Sequence, residues 1–131
     1  MGRNLTDSHL DRSNVLNNAM AMREIEKAVG LRGILFQGRY VFLKEQVASF
    51  LEIAPRTVER YLESHNEELV RNGYVVLRGE TLQSLKKILS QTDVPEIDVG
   101  NILRSPQLGV FDFRAFLNLA MLVVEGSRAR L

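Results

Sequence analysis

The chain has 131 residues, of which 45% are hydrophobic and 25% charged, and its formal net charge is +1. That balance fits one soluble globular domain, or a small domain with appendages, and is weaker than the clearly basic footprint of most nucleic-acid binders. There is no cysteine, which excludes disulfides, thiolate metal sites and cysteine catalysis, and a reducing, cytoplasmic setting is expected.

Residues 1–12 are polar and without period, and read as a loose arm. A helix is expected after Ser13, with Val15, Met22, Ile25 and Val29 at helical spacing and Gly30 as its stop. Two short β-prone runs flank Gln37-Gly38 and predict a hairpin or two strands around a turn. Two tightly connected helices follow, about 44–51 and 55–72, with Pro55 suited to a first helical turn. Tyr74–Leu77 reads as a strand, and Leu82, Leu85, Ile88 and Leu89 as one face of a helix with Lys86 and Lys87 on its wet side. Residues 91–107 read as a loop, Gly109–Phe111 as a strand, and 113–125 as a final helix capped by Asp112 and stopped near Gly126. The expected organisation is an arm (1–12), a helix-turn-helix domain (13–90), and a linker, strand and helix opening a second unit (91–131). The fold class is mostly α with a small β component, a winged helix-turn-helix-like domain plus a C-terminal apolar helix.

The informative segment is Lys44–Glu63. Two helices cross steeply only over a small residue with apolar residues facing each other. Ala48 is that small residue, and Val47, Leu51, Ile53, Val58 and Tyr61 or Leu62 are the facing set. Arg56, Thr57 and Arg60 then fall on the outer side of the second helix. A recognition helix carries its donors there, with arginine pairing bidentately to guanine. Lys44 is a further candidate DNA contact, and Arg71, Arg78, Lys86 and Lys87 are candidate phosphate contacts flanking the groove, Arg78 following a strand that could act as a wing. That strand could also be structural, pairing with Ile34–Phe36 or Tyr40–Phe42, and both roles can hold at once, since a strand pairs on its backbone and still presents Arg78.

Residues 44–63 resemble the helix-turn-helix of many bacterial transcription regulators. A longer stretch, about 39–131, resembles RhuM-type DNA-binding proteins of bacteria and prophages. The resemblance rests on Tyr40-Val-Phe-Leu-Lys-Glu-Gln-Val-Ala48, Arg56-Thr-Val-Glu-Arg-Tyr-Leu62 and Val110-Phe-Asp-Phe-Arg-Ala-Phe-Leu-Asn-Leu119. It implies double-stranded DNA as partner. Two positions depart from the pattern: Glu52 stands where glycine is usual in the turn, and Leu43 where Ser or Thr often caps the first helix.

Other chemistries find little support. His9 and His65 lack cysteine partners for a zinc site. Asp93, Glu96 and Asp98 lack the spacing of a known cation loop. The glycines form no phosphate loop, and nothing gathers Ser, His and Asp. No catalytic residue, metal, cofactor or small-molecule substrate is therefore expected. The longest apolar stretch, Ala115 to Val124, contains Asn118 and is too short to span a bilayer. The alternative to DNA binding is a protein-interaction module, antitoxin-like or adaptor, reusing the same fold; Glu59, Glu63, Glu67 and Glu68 favour it.

The last helix is apolar almost all round. Phe113, Phe116, Leu117, Ala120, Met121 and Val124 form one face, and Leu119, Leu122 and Val123 lie off it. Such a helix must be buried on more than one side. With few elements before it, Phe113, Phe116, Leu117, Leu119, Met121, Leu122 and Val123 are expected to meet a second copy of the chain, or a C-terminal part beyond Leu131.

Overall fold

The computed structural model describes residues 5–30, 32–92 and 98–129. Eight helices and four strands follow in chain order among them: α1 (Leu5–Leu16), α2 (Ala19–Val29), β1 (Ile34–Phe36), β2 (Arg39–Leu43), α3 (Lys44–Leu51), α4 (Pro55–Ser64), α5 (Asn66–Arg71), β3 (Val75–Leu77), α6 (Gly79–Leu89), α7 (Val99–Leu103), β4 (Leu108–Phe111) and α8 (Phe113–Ala129). The fold is mostly helical, with one small antiparallel sheet in the order β1-β2-β4-β3.

The sheet divides two cores. Successive strand residues point to opposite faces, so Val41 and Leu43 of β2 and Val110 of β4 pack with Leu77, Leu82, Leu85 and Leu89 on the α6 side. Phe42 and Phe111 pack on the other side with Val47, Val58, Leu69, Phe116 and Leu119. Both faces of the central strands are covered, so the end of β2 is buried without alternation.

The expected hairpin is present: β1 and β2 pair from Ile34↔Val41 to Phe36↔Arg39. Gln37 (φ 52°) and Gly38 (φ 81°) both take positive φ at its turn, the backbone that matches strand twist in two-residue hairpins. Gly30 ends α2 in the left-handed conformation, with its N–H on the Glu26 carbonyl.

Several expectations are corrected. The loose arm is a helix over its described part, because α1 runs from Leu5. It has no strong apolar stripe; a buried ion pair and Leu16 hold it in place. The single helix expected after Ser13 is broken at Asn17-Asn18, and the Asn18 side chain caps α2 by accepting from Ala21 N–H at 3.0 Å. The second helix of the pair does not reach Asn72: it breaks at His65 (φ −127°, ψ 32°) into α4 and α5. Residues 91–107 contain α7, capped by Asp98 through the Asn101 N–H at 3.3 Å. Asp93 and Glu96 lie outside the described residues.

Strand β3 pairs with neither expected partner. Its neighbour is β4, through Val75↔Val110, Val76↔Gly109 and Leu77↔Leu108, and it runs directly into α6 rather than into a hairpin. The expected wing is thus an edge strand, and Arg78 is the cap residue of α6. Lys86 is buried rather than wet, its Nζ donating to the Ser105 carbonyl at 2.6 Å.

The second unit is also corrected. β4 lies between β2 and β3, so residues 108–111 complete the sheet begun at Ile34. The C-terminal helix α8 packs on α1, α4, α5 and β2. Asp112 caps it as expected, Oδ1 accepting the Ala115 N–H at 2.8 Å. The helix does not stop at Gly126. A Cβ at Gly126 would stand 2.2 Å from the Tyr61 hydroxyl, so that side chain would have to shift to admit one.

The broad association face expected on α8 is covered by the chain itself. Phe113, Phe116, Leu119 and Leu122 are buried, and Leu117 and Val123 are half-buried against the same core. Met121 is half-buried, while Val124 is exposed. The early elements cover more of the helix than expected because α1 and α5 both lie on it. No helix among the described residues is long and apolar enough to cross a membrane.

Candidate nucleic-acid interface

The α3–α4 unit is built around a crossing of small and β-branched side chains. Ala48 is 1% exposed, and Val47 and Val58 are fully buried beside it. Between the helices Glu52 takes φ 57° and ψ 43°, its N–H reaching back to the Ser49 carbonyl at 3.2 Å. The Ile53 N–H bonds the Ala48 carbonyl at 3.0 Å. The left-handed turn usual for glycine is therefore made by an exposed glutamate, at a cost of about 1 kcal/mol. Pro55 starts α4 where no N–H is needed.

Leu43, the second departure, has a structural reason. β2 enters α3 without a loop, so position 43 must fill the core, and Leu43 is fully buried. Its N–H is taken by Gln46 Oε1 at 2.9 Å, and Gln46 Nε2 donates to the Arg32 carbonyl. The glutamine one turn inside the helix does the polar work that a Ser or Thr cap would share.

Because Ala48 sits at the crossing, Ala48→Leu should overpack it. The expected loss is about 1–3 kcal/mol of unfolding free energy, read from the midpoint of a denaturant titration. A variant as stable as the parent would mean that the helices do not meet there.

With Val58 turned inward, Arg56, Glu59, Arg60 and Glu63 face out and line one shallow depression of about 450 Å³. Thr57 is half-buried at its side. Arg56 and Arg60 make no side-chain hydrogen bond or ion pair among the described residues; the Ser64 hydroxyl donates to the Arg60 carbonyl at 2.9 Å. Lys44, at the start of α3, reaches across to α4, its Nζ 2.5 Å from Glu59 Oε1. That hydrogen bond, with the ammonium charge behind it, holds the Glu59 carboxyl below the usual carboxylate range. The pairing is present above the ordinary carboxylate pKa and is lost as pH falls through the lowered value.

The structure thus brings Arg56 and Arg60 into one depression and ties Lys44 to it through Glu59, while Thr57 is not among the residues that line it. It does not add Arg71 or Arg78. Arg71 ends α5 in a separate concavity lined also by Glu63, Glu67 and Glu68. Arg78 donates from Nε to Gln107 Oε1 at 3.0 Å, at the far end of β3. The residue that sequence reasoning missed as an organiser is Glu59. Its tie to Lys44 spans fifteen positions, and no local spacing announces it.

A largely buried polar chain runs through α1, α5 and α8. Arg12 grips Glu68 with two bonds of 2.8 Å and also reaches Glu125. Glu68 accepts from Asn118 Nδ2, whose Oδ1 accepts from Asn72 at 2.9 Å. Asn72 Oδ1 in turn accepts from Arg114 Nε at 2.9 Å, and Arg114 also donates to the Leu16 carbonyl and to Asn17. The Glu68 carboxylate, first among its partners, raises the Arg12 guanidinium pKa above its usual value. This chain ties α1 to α5 and α8. No protein-family model matches the sequence, and neither a curated protein nor a solved structure matches it.

Proposed function

We propose that the protein binds double-stranded DNA through the outward face of α4, as a transcriptional regulator or as the DNA-docking part of a longer protein. The observation that carries this reading is the pair of exposed guanidiniums of Arg56 and Arg60 on the second helix of a tight helix–turn–helix, neither hydrogen-bonded through its side chain among the described residues. A helix inserted in the major groove needs such donors in its first two turns. Arginine there meets guanine O6 and N7 bidentately, Thr57 suits a phosphate, and Lys44 from the neighbouring helix neutralises Glu59 on the same face. The resemblance of residues 39–131 to RhuM-type DNA-binding proteins points the same way.

With so few cations on the face, affinity should fall with salt on a shallow slope, about 0.9 per phosphate contacted. Arg60→Ala should weaken binding to a selected duplex by about 1–3 kcal/mol and leave the thermal midpoint unchanged, since the side chain is exposed. Fluorescence anisotropy at fixed moderate salt measures it. Unaltered affinity would remove α4 as the reading helix, and salt-insensitive capture of a protein in place of duplex would favour an interaction module.

A further inference from the structure

On the DNA-binding reading above, we propose that Glu59 is a specificity residue: its carboxylate accepts a hydrogen bond from the cytosine N4 amino group, beside guanines held by Arg56 and Arg60. A face made only to grip phosphates would carry cations throughout. Here each arginine has a carboxylate three residues on, and all four side chains share one depression. A carboxylate in the groove is repelled by the phosphates unless it meets a donor, and the donors on major-groove base edges are the amino groups of cytosine and adenine.

The geometry separates Glu59 from Glu63. Lys44 holds Glu59 Oε1 at 2.5 Å; Oε2 accepts nothing among the described residues. The ion pair offsets the charge that phosphates would repel, limits the rotamers of the side chain, and leaves the second oxygen of a half-exposed carboxylate as an acceptor. Glu63 has no such brace among the described residues and stands in the last turn of α4.

Cytosine fits better than adenine. Beside its amino group adenine presents N7, an acceptor that opposes a carboxylate, whereas cytosine presents only carbon-bound hydrogen there. Arg56 lies about 4.5 Å from Glu59 along the helix axis and Arg60 about 1.5 Å. At about 3.4 Å per base pair, the cytosine and the guanines fall within roughly two base-pair steps.

The test is selection of duplexes from a randomised library by the parent and by Glu59→Gln, an exposed substitution outside the core. The parent should prefer cytosine at one position by roughly 5- to 150-fold, within two steps of a guanine whose preference disappears in Arg60→Ala or Arg56→Ala. Glutamine pairs with adenine N6 and N7, so Glu59→Gln should lose the cytosine preference or exchange it for adenine while the guanine positions stay. It should also bind unselected duplex more tightly, having lost a negative charge. If the parent selects a site and Glu59→Gln selects the same bases at every position, Glu59 does not read bases and only this inference falls. If the parent selects no duplex at any salt, the DNA reading falls with it.

Discussion

Glu68→Ala is expected to lower the unfolding free energy by about 3–5 kcal/mol, the range for removing one partner of a buried ion pair. The Arg12 side chain is 8% exposed and that of Glu68 11%. Without the carboxylate, Arg12 loses both 2.8 Å bonds and keeps, among the described residues, the partly exposed Glu125. Asn118, which is 0% exposed, loses the acceptor of its amide as well. The buried charge stays uncompensated unless α1 swings away, and that movement would uncover Leu16 and one side of α8. Replacing both charges, as Arg12→Met with Glu68→Leu, should cost far less, because it removes the stranded charge along with its partner. Urea titrations of the parent, the single variant and the double variant measure this. A single variant within about 1 kcal/mol of the parent, or a double variant worse than the single, would show that the polar chain does not hold α1 in place.

Gly73→Ala is expected to cost about 2–4 kcal/mol from two separate sources. Gly73 takes φ 118° after α5, backbone that L side chains adopt at about 1–3 kcal/mol. A Cβ there would also stand 2.2 Å from Asp112 Oδ1. Asp112 cannot withdraw freely, since the same oxygen caps α8 and the other faces Arg39 at 3.5 Å. Losing such a cap costs about 0.5–2 kcal/mol. Gly38→Ala is the internal comparison: it has φ 81° but open space around the added Cβ, so it carries the backbone cost alone. Thermal unfolding of the two variants separates strain from collision. Equal losses would mean that Asp112 yields without consequence.

What was legible in the sequence follows from local physics. The period of Val47, Ala48 and Leu51 against Val58 and Leu62, with Pro55 between, is sufficient to specify two crossing helices. Gln37-Gly38 between β-prone runs specified the hairpin, and Asp112 before an apolar run specified the start of α8. Each of these depends on neighbours within about a turn or two, and the alternation or spacing that encodes them is visible in one dimension.

Only the tertiary structure decided the rest, because its causes are contacts between distant residues. α1 looked like a loose arm because its anchor is Arg12 on Glu68, fifty-six positions away, and a polar anchor leaves no apolar period. α8 looked like an interface because periodicity counts its apolar sides without counting what covers them. β3 found its partner in β4 because hydrogen bonding along a strand edge is blind to sequence distance. The α4 face combines both kinds of information. Its outward Arg56 and Arg60 were set by helical period, whereas the bracing of Glu59 by Lys44 depends on the crossing angle that Ala48 permits.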